Sequence, residues 1–162
     1  MNKVYLLIGG NMGNRLANIH TALTQIEKLA GTIIQKSAIY ETEAWGLKEQ
    51  PSFYNQAITI QTHLNPLALL QQLVEIEASM GRQRDITWGP RTMDIDIIYF
   101  NHEMVSIDPL SIPHPRMHQR NFVLTPLVEI APDYIHPILG LTTTQLLKDC
   151  EDKSLVYKKT EE

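Results

Sequence analysis

The chain has 162 residues, 43% hydrophobic and 20% charged, with a formal net charge of −4. That length suits one domain, 1–162, able to bury its own core without staples, and the acidic balance argues against a general nucleic-acid or anionic-membrane binder. Cys150 is the only cysteine, which excludes an internal disulfide, and no run is apolar and long enough for a membrane span or signal-peptide core, so a cytoplasmic location is expected.

Residues 4–8 (Val-Tyr-Leu-Leu-Ile) form a short apolar run ended by Gly9, Gly10 and Asn11, which predicts an interior strand. Leu16, Ile19, Leu23, Ile26 and Ala30 then recur at three- and four-residue steps, predicting a helix with Gly31 at its C-terminal cap. The turn between them matches neither the P-loop nor the dinucleotide fingerprint, so a tight structural turn is expected. Residues 32–40 carry β-branched side chains and predict a second strand.

Residues 53–62 alternate, with Tyr54, Gln56, Ile58 and Ile60 on one side and Phe53, Asn55, Ala57 and Thr59 on the other. The intervening stretch, 41–52, is longer than a hairpin turn and contains Trp45. Asn65-Pro66 predicts the start of a second helix, continued by Leu67, Leu70, Leu73, Val74, Glu77 and Met80 and closed by Gly81. An apolar strand follows at 93–100. The order strand, helix, strand, strand, helix, strand predicts an α+β fold. It is the ferredoxin-like βαββαβ core: an antiparallel sheet, helices packed on one face and the other face free for ligands. A C-terminal extension follows, for which the sequence predicts a strand at 103–107, an extended stretch at 109–115, helices at 120–130 and 142–149, and a loosely held charged tail. No spare apolar helix face is evident, and a monomer is expected.

Two features point to chemistry. Of six arginines, five (Arg82, Arg84, Arg91, Arg116 and Arg120) fall between 82 and 120, although the protein is acidic, and the guanidinium fork suits phosphate oxygens. Asp94 and Asp96 interrupt the apolar strand on one face, about 7 Å apart. Like charges that close call for a cation between them, and a hard divalent ion with oxygen ligands, Mg2+ in particular, is the economical candidate. A nucleotidyltransferase also pairs a glycine turn with Asp-x-Asp, but there only about a dozen residues separate them, unlike Gly10 and Asp94. A sheet of this type that binds RNA would expose aromatics on its central strands, where this chain places aspartates.

The string Trp88-Gly-Pro-Arg-Thr-Met-Asp-Ile-Asp-Ile-Ile98 closely resembles the signature of the 6-hydroxymethyl-7,8-dihydropterin pyrophosphokinase family. The resemblance takes in residues 8–11, 40–42, 50–55, Glu77, 81–84, 113–117, Arg120, Phe122 and 126–127. It implies a ferredoxin-like α+β fold and transfer of pyrophosphate from ATP to the pterin hydroxymethyl group, with release of AMP. It implies that Asp94 and Asp96 hold two Mg2+ ions and that Arg82 and Arg91 neutralise charge on the transferred group. Arg84, Trp88, Ile97, His114 and Arg120 join the nucleotide side. Phe53 and Phe122 sandwich the pterin, Asn55 and the Thr42 backbone read its edge, and Trp45 and Trp88 close over the site. Glu77 is expected to support the arginine loop structurally. Three departures stand out: a loop one residue shorter with Asp85 and Thr87 in place of basic residues, Pro115 after His114, and Val74 at a helix position that can be polar.

Overall fold

In the computed structural model, which describes residues 1–43, 51–81 and 92–159, the apolar run near the start becomes the spine of a sheet. β1 (Asn2–Gly10) has β4 (Phe53–Thr62) on one side and β5 (Asp94–Phe100) on the other, antiparallel to both. A strand with two neighbours and a layer on each face has no solvated side, and Val4, Tyr5, Leu6, Leu7 and Ile8 are all buried.

The second strand expected at 32–40 is interrupted. β2 (Thr32–Lys36) and β3 (Tyr40–Thr42) pair with successive stretches of β4, placing Thr32 opposite Gln61 and Thr42 opposite Phe53. At the break the Ser37 N–H donates to the Ala57 carbonyl, and the Ala57 N–H donates to Ser37 Oγ at 2.9 Å, so a side chain stands in for a ladder partner. The strand order β5-β1-β4-(β2, β3) is that of the expected ferredoxin-like core.

α1 (Arg15–Leu29) and α2 (Pro66–Ser79) begin where Asn14 and Asn65 accept hydrogen bonds from the amides of Ala17 and Ala68. Their apolar stripes, Ile19, Ala22 and Ile26 and then Leu69, Leu73 and Ile76, bury against Val4, Leu6, Ile8, Ile58 and Ile60 on one face of the sheet. Gly31 directly follows the C-cap residue Ala30, as expected, but its φ is not left-handed. A Cβ there would come within 2.4 Å of the Gln61 carbonyl oxygen, so close passage past β4 excludes a side chain.

The second face of the sheet is not free. α3 (Asn121–Ile130) and α4 (Thr143–Asp149) pack Val123, Leu124, Leu127 and Leu146 onto Tyr5, Leu7, Ala57, Ile98 and Tyr99. Alternation along β1 leaves Tyr5 and Leu7 on the side away from α1 and α2, and the apolar side of α3 covers them. The stretch 103–115 forms a hairpin, β6 (Val105–Ile107) with β7 (Leu110–Ile112). The tail expected to be loose contributes β8 (Val156–Lys158), antiparallel to β3.

Candidate active site

At one end of the second face, strand register places unlike residues in a row. Asn55 on β4 is opposite Gly9 on β1, and Gly9 is opposite Asp94 on β5. Directly paired residues present their side chains to the same face. Gly9 has none to present, and the Asn55 carboxamide occupies the space: a Cβ on Gly9 would lie 2.1 Å from Asn55 Oδ1 and 2.2 Å from the Tyr54 carbonyl oxygen. Asp96 stands two pairs further on, the next on this face, opposite Leu7, which faces Ala57.

Beyond Asp96 the same face turns apolar. The ladder between β1 and β5 shifts register at Tyr5/Leu6, so that Leu6 faces Ile97 and Tyr5 faces Tyr99, with Ile98 as the extra residue. Ile98 and Tyr99 both enter the α3 cluster, while Phe100 returns to the α1 and α2 side. The aspartates thus occupy the rim of a face whose interior is a core, and both are half-buried.

Glu77 lies on the buried stripe of α2, four residues after Leu73, and its Oε2 accepts the Ile95 N–H at 2.7 Å. It thereby supports the strand between the two aspartates, and the arginine loop it is expected to support lies outside the described residues. The spacing from Leu73 was the legible sign that this carboxylate points inward.

His114 reaches the same end of the sheet from the segment after β7, its N–H donating to the Ile98 carbonyl at 3.1 Å. Burial, assisted by the nearby Arg120 and Arg116 cations and opposed by Asp94, pushes its imidazole down from 6.5 to about 4. The ring is neutral at neutral pH. Its Nδ1 accepts the Arg116 N–H at 3.3 Å, which leaves the proton on Nε2 as a donor. The Arg120 guanidinium lies over the Phe122 ring, 5.8 Å from its centroid. Phe122 packs on the edge of the α3 cluster, and Phe53 shares the face of β4 that carries Asn55 and Ala57. Thr42, opposite Phe53, is 2% exposed, and its Oγ1 has no hydrogen-bond partner among the described residues.

The structure thus gathers Thr42, Phe53, Asn55, Asp94, Asp96, His114, Arg120 and Phe122 on one face or its rim. Ile97 is the exception among the described residues: its side chain is buried in the α1 and α2 core. Trp45, Arg82, Arg84, Trp88 and Arg91 lie outside the described residues. A groove of 1140 Å³ beside the start of α1, lined by residues including Arg15, Lys36, Tyr54 and Gln56, belongs to the opposite side of the sheet and holds no candidate residue. Sequence reasoning missed the part played by Gly9, although a glycine inside a buried strand is a sign of close approach.

The family model described as 7,8-dihydro-6-hydroxymethylpterin-pyrophosphokinase (HPPK) matches residues 5–132. The chain is 43% identical over 130 residues to the 2-amino-4-hydroxy-6-hydroxymethyldihydropteridine pyrophosphokinase of Bacillus subtilis (strain 168), covering 80% of this chain and 78% of that protein. It is 36% identical over 157 residues to the Haemophilus influenzae protein of the same name, covering 96% and 98%. It is also 44% identical over 145 residues to the folic acid synthesis protein FOL1 of Dictyostelium discoideum, covering 90% of this chain but 22% of that protein, so it spans about a fifth of that longer relative. Among solved structures, the Plasmodium falciparum HPPK-DHPS wild type superposes with a TM-score of 0.74 at 20% identity, over 91% of this chain and 43% of that one. That likeness concerns the fold.

Proposed function

The chain belongs to the 7,8-dihydro-6-hydroxymethylpterin-pyrophosphokinase family, and from that premise we propose that it transfers pyrophosphate from ATP to 6-hydroxymethyl-7,8-dihydropterin in folate biosynthesis. The hydroxymethyl oxygen attacks the β-phosphorus. The bond from that phosphorus to the oxygen bridging to the α-phosphorus breaks, AMP leaves with the bridging oxygen, and the hydroxyl proton is released. The observation that carries this reading is the row Asn55–Gly9–Asp94, which sets an amide for a heteroaromatic edge beside a carboxylate for a metal-bound phosphate.

In this reading the flat pterin lies between Phe53 and Phe122, with Asn55 and the Thr42 backbone reading its amide-like edge. Asp94 and Asp96 fit Mg2+, which takes one or two carboxylates and completes its shell with substrate phosphates. They would hold two ions, which supply charge neutralisation for the polyphosphate. Arg120 adds a permanent positive charge, and His114 offers a neutral Nε2–H donor to the nucleotide. Arg82 and Arg91 neutralise charge on the transferred group, and Arg84, Trp88 and Trp45 contribute as the family resemblance implies. A nucleotide contact at Ile97 would use its backbone, because its side chain is in the core. The same reading makes 1–162 one pyrophosphokinase domain, acting as a cytoplasmic monomer; among the described residues no helix is long and apolar enough to cross a membrane.

The test is to incubate the protein with ATP, Mg2+ and the reduced hydroxymethyl pterin and to separate the products. AMP and a pyrophosphorylated pterin are expected; ADP or free pyrophosphate would sink the assignment.

A further inference from the structure

We infer that Arg15, Glu41 and Ser52 form a clasp behind the pterin wall that sets the position of Phe53 and Thr42, an inference that rests on the pyrophosphokinase reading. Arg15 is the first residue of α1, and its side chain crosses to the reverse side of β4. Its guanidinium carbon lies 4.0 Å from the centroid of the Tyr54 ring, which faces the α1 and α2 core. Nη1 donates to both the Ser52 carbonyl, at 2.9 Å, and Ser52 Oγ, at 2.7 Å, while Nη2 donates to the Tyr54 hydroxyl at 3.3 Å. The Glu41 carboxylate pairs with Nη1 at 3.6 Å and also accepts from Ser52 Oγ. One planar cation therefore ties the start of α1 to β3 and to the entry of β4.

The placement is what gives the clasp a function. Glu41 immediately precedes Thr42, and Ser52 immediately precedes Phe53; Thr42 and Phe53 are themselves opposite each other in the sheet. Asn11, at the end of β1, adds a bond from Nδ2 to the Pro51 carbonyl at 3.0 Å. Because side chains alternate along β4, Tyr54 meets Arg15 on one side while Phe53 and Asn55 face the pterin on the other. Arg15 touches no substrate; it is a positioning residue that acts through the strand. A ring sandwiched between aromatics tolerates little displacement of either wall, whereas the phosphate side of the site hangs on β5 and on the segment around His114, which the clasp does not reach. The cation of Arg15 matters here less than its fork, since two bonds to Ser52 and a third to Tyr54 need a planar, multiply donating group.

Three proteins separate the possibilities: the unaltered chain, Arg15→Met and Arg15→Lys. Amide hydrogen exchange over residues 51–56, compared with residues 94–100, is expected to rise in Arg15→Met at the first stretch only. In steady-state kinetics the pterin KM is expected to rise about tenfold in Arg15→Met, the scale of a small misplacement of a bound reactant. The ATP KM should stay within about twofold, as befits loss of binding on one substrate side. Arg15→Lys, which keeps the charge without the fork, should remain closer to Arg15→Met than to the unaltered chain, and it carries the comparison if Arg15→Met does not fold. Unchanged exchange at 51–56, or equal rises in both KM values, would overturn the clasp. Failure of the unaltered protein to make the pterin diphosphate would instead refute the pyrophosphokinase reading, and the exchange comparison would still decide the clasp.

Discussion

The two faces of the central sheet are built from the same strands yet differ in kind. On the α1 and α2 face, Val4, Leu6, Ile8, Ile58, Ile60, Ile95 and Ile97 form an apolar layer that only the buried Gln56, opposite Ile8, interrupts within the strands. On the α3 and α4 face the layer is apolar only halfway: Tyr5, Leu7, Ala57, Ile98 and Tyr99 are packed, and then Gly9, Asn55, Asp94 and Asp96 replace them. Burying a carboxylate costs free energy, and the two aspartates are half-buried where the covering layer ends. The first face holds the fold together. The second also carries the candidate site.

That division can be broken by substitution. Asp94→Asn and Asp96→Asn should each lower kcat by about 10²–10³ or more, the scale seen when a charge-stabilising group is lost. Their thermal midpoints should stay close to that of the unaltered protein. Near-normal turnover in both would remove the aspartates from the chemistry. Leu6→Ala, at a fully buried position on the first face, should do the reverse, destabilising the protein by about 2–5 kcal/mol in denaturant unfolding while any residual folded enzyme keeps its substrate affinities.

Gly9→Ala probes the line where packing and site meet. The added methyl must displace both the Asn55 side chain and the Tyr54 carbonyl, which should cost about 1–3 kcal/mol as overpacking and should also raise the pterin KM. An alanine tolerated without change in either quantity would mean that Asn55 need not lie over Gly9.

A smaller effect follows from His114 on the second face. Its folded value of about 4 is below the ordinary 6.5, so between these pH values the unfolded chain holds a proton that the folded chain does not. The stability from this group is complete above pH 6.5 and is lost as pH falls toward 4. His136, also pushed down by burial, acts in the same direction. His114→Asn should therefore flatten part of the acid-side loss seen in unfolding curves between pH 6.5 and 4. Identical slopes for the two proteins would show that His114 takes up its proton as readily folded as unfolded.

Much of this was legible in the residues themselves. Period-two alternation at 53–62 assigns Phe53 and Asn55 to one face and Tyr54 and Ile58 to the other without reference to any neighbour, and the same rule puts Asp94 and Asp96 together. The asparagine cap at Asn65 marks a helix start, because its side chain bonds an amide only three residues away. Each of these signals is local in the chain, so the sequence by itself determined the order of the core strands and helices, the side of β4 on which each residue lies, and the carboxylate pair. What only the tertiary structure decided is non-local. The break at Ser37 depends on Ala57, the cover by α3 depends on Tyr5 and Leu7, and β8 takes its place from the free edge of β3. The row Asn55–Gly9–Asp94 and the clasp of Arg15 with Glu41 and Ser52 likewise join residues tens of positions apart. Their register is set by which strands lie side by side, and pairing between distant strands leaves no periodic trace along the chain.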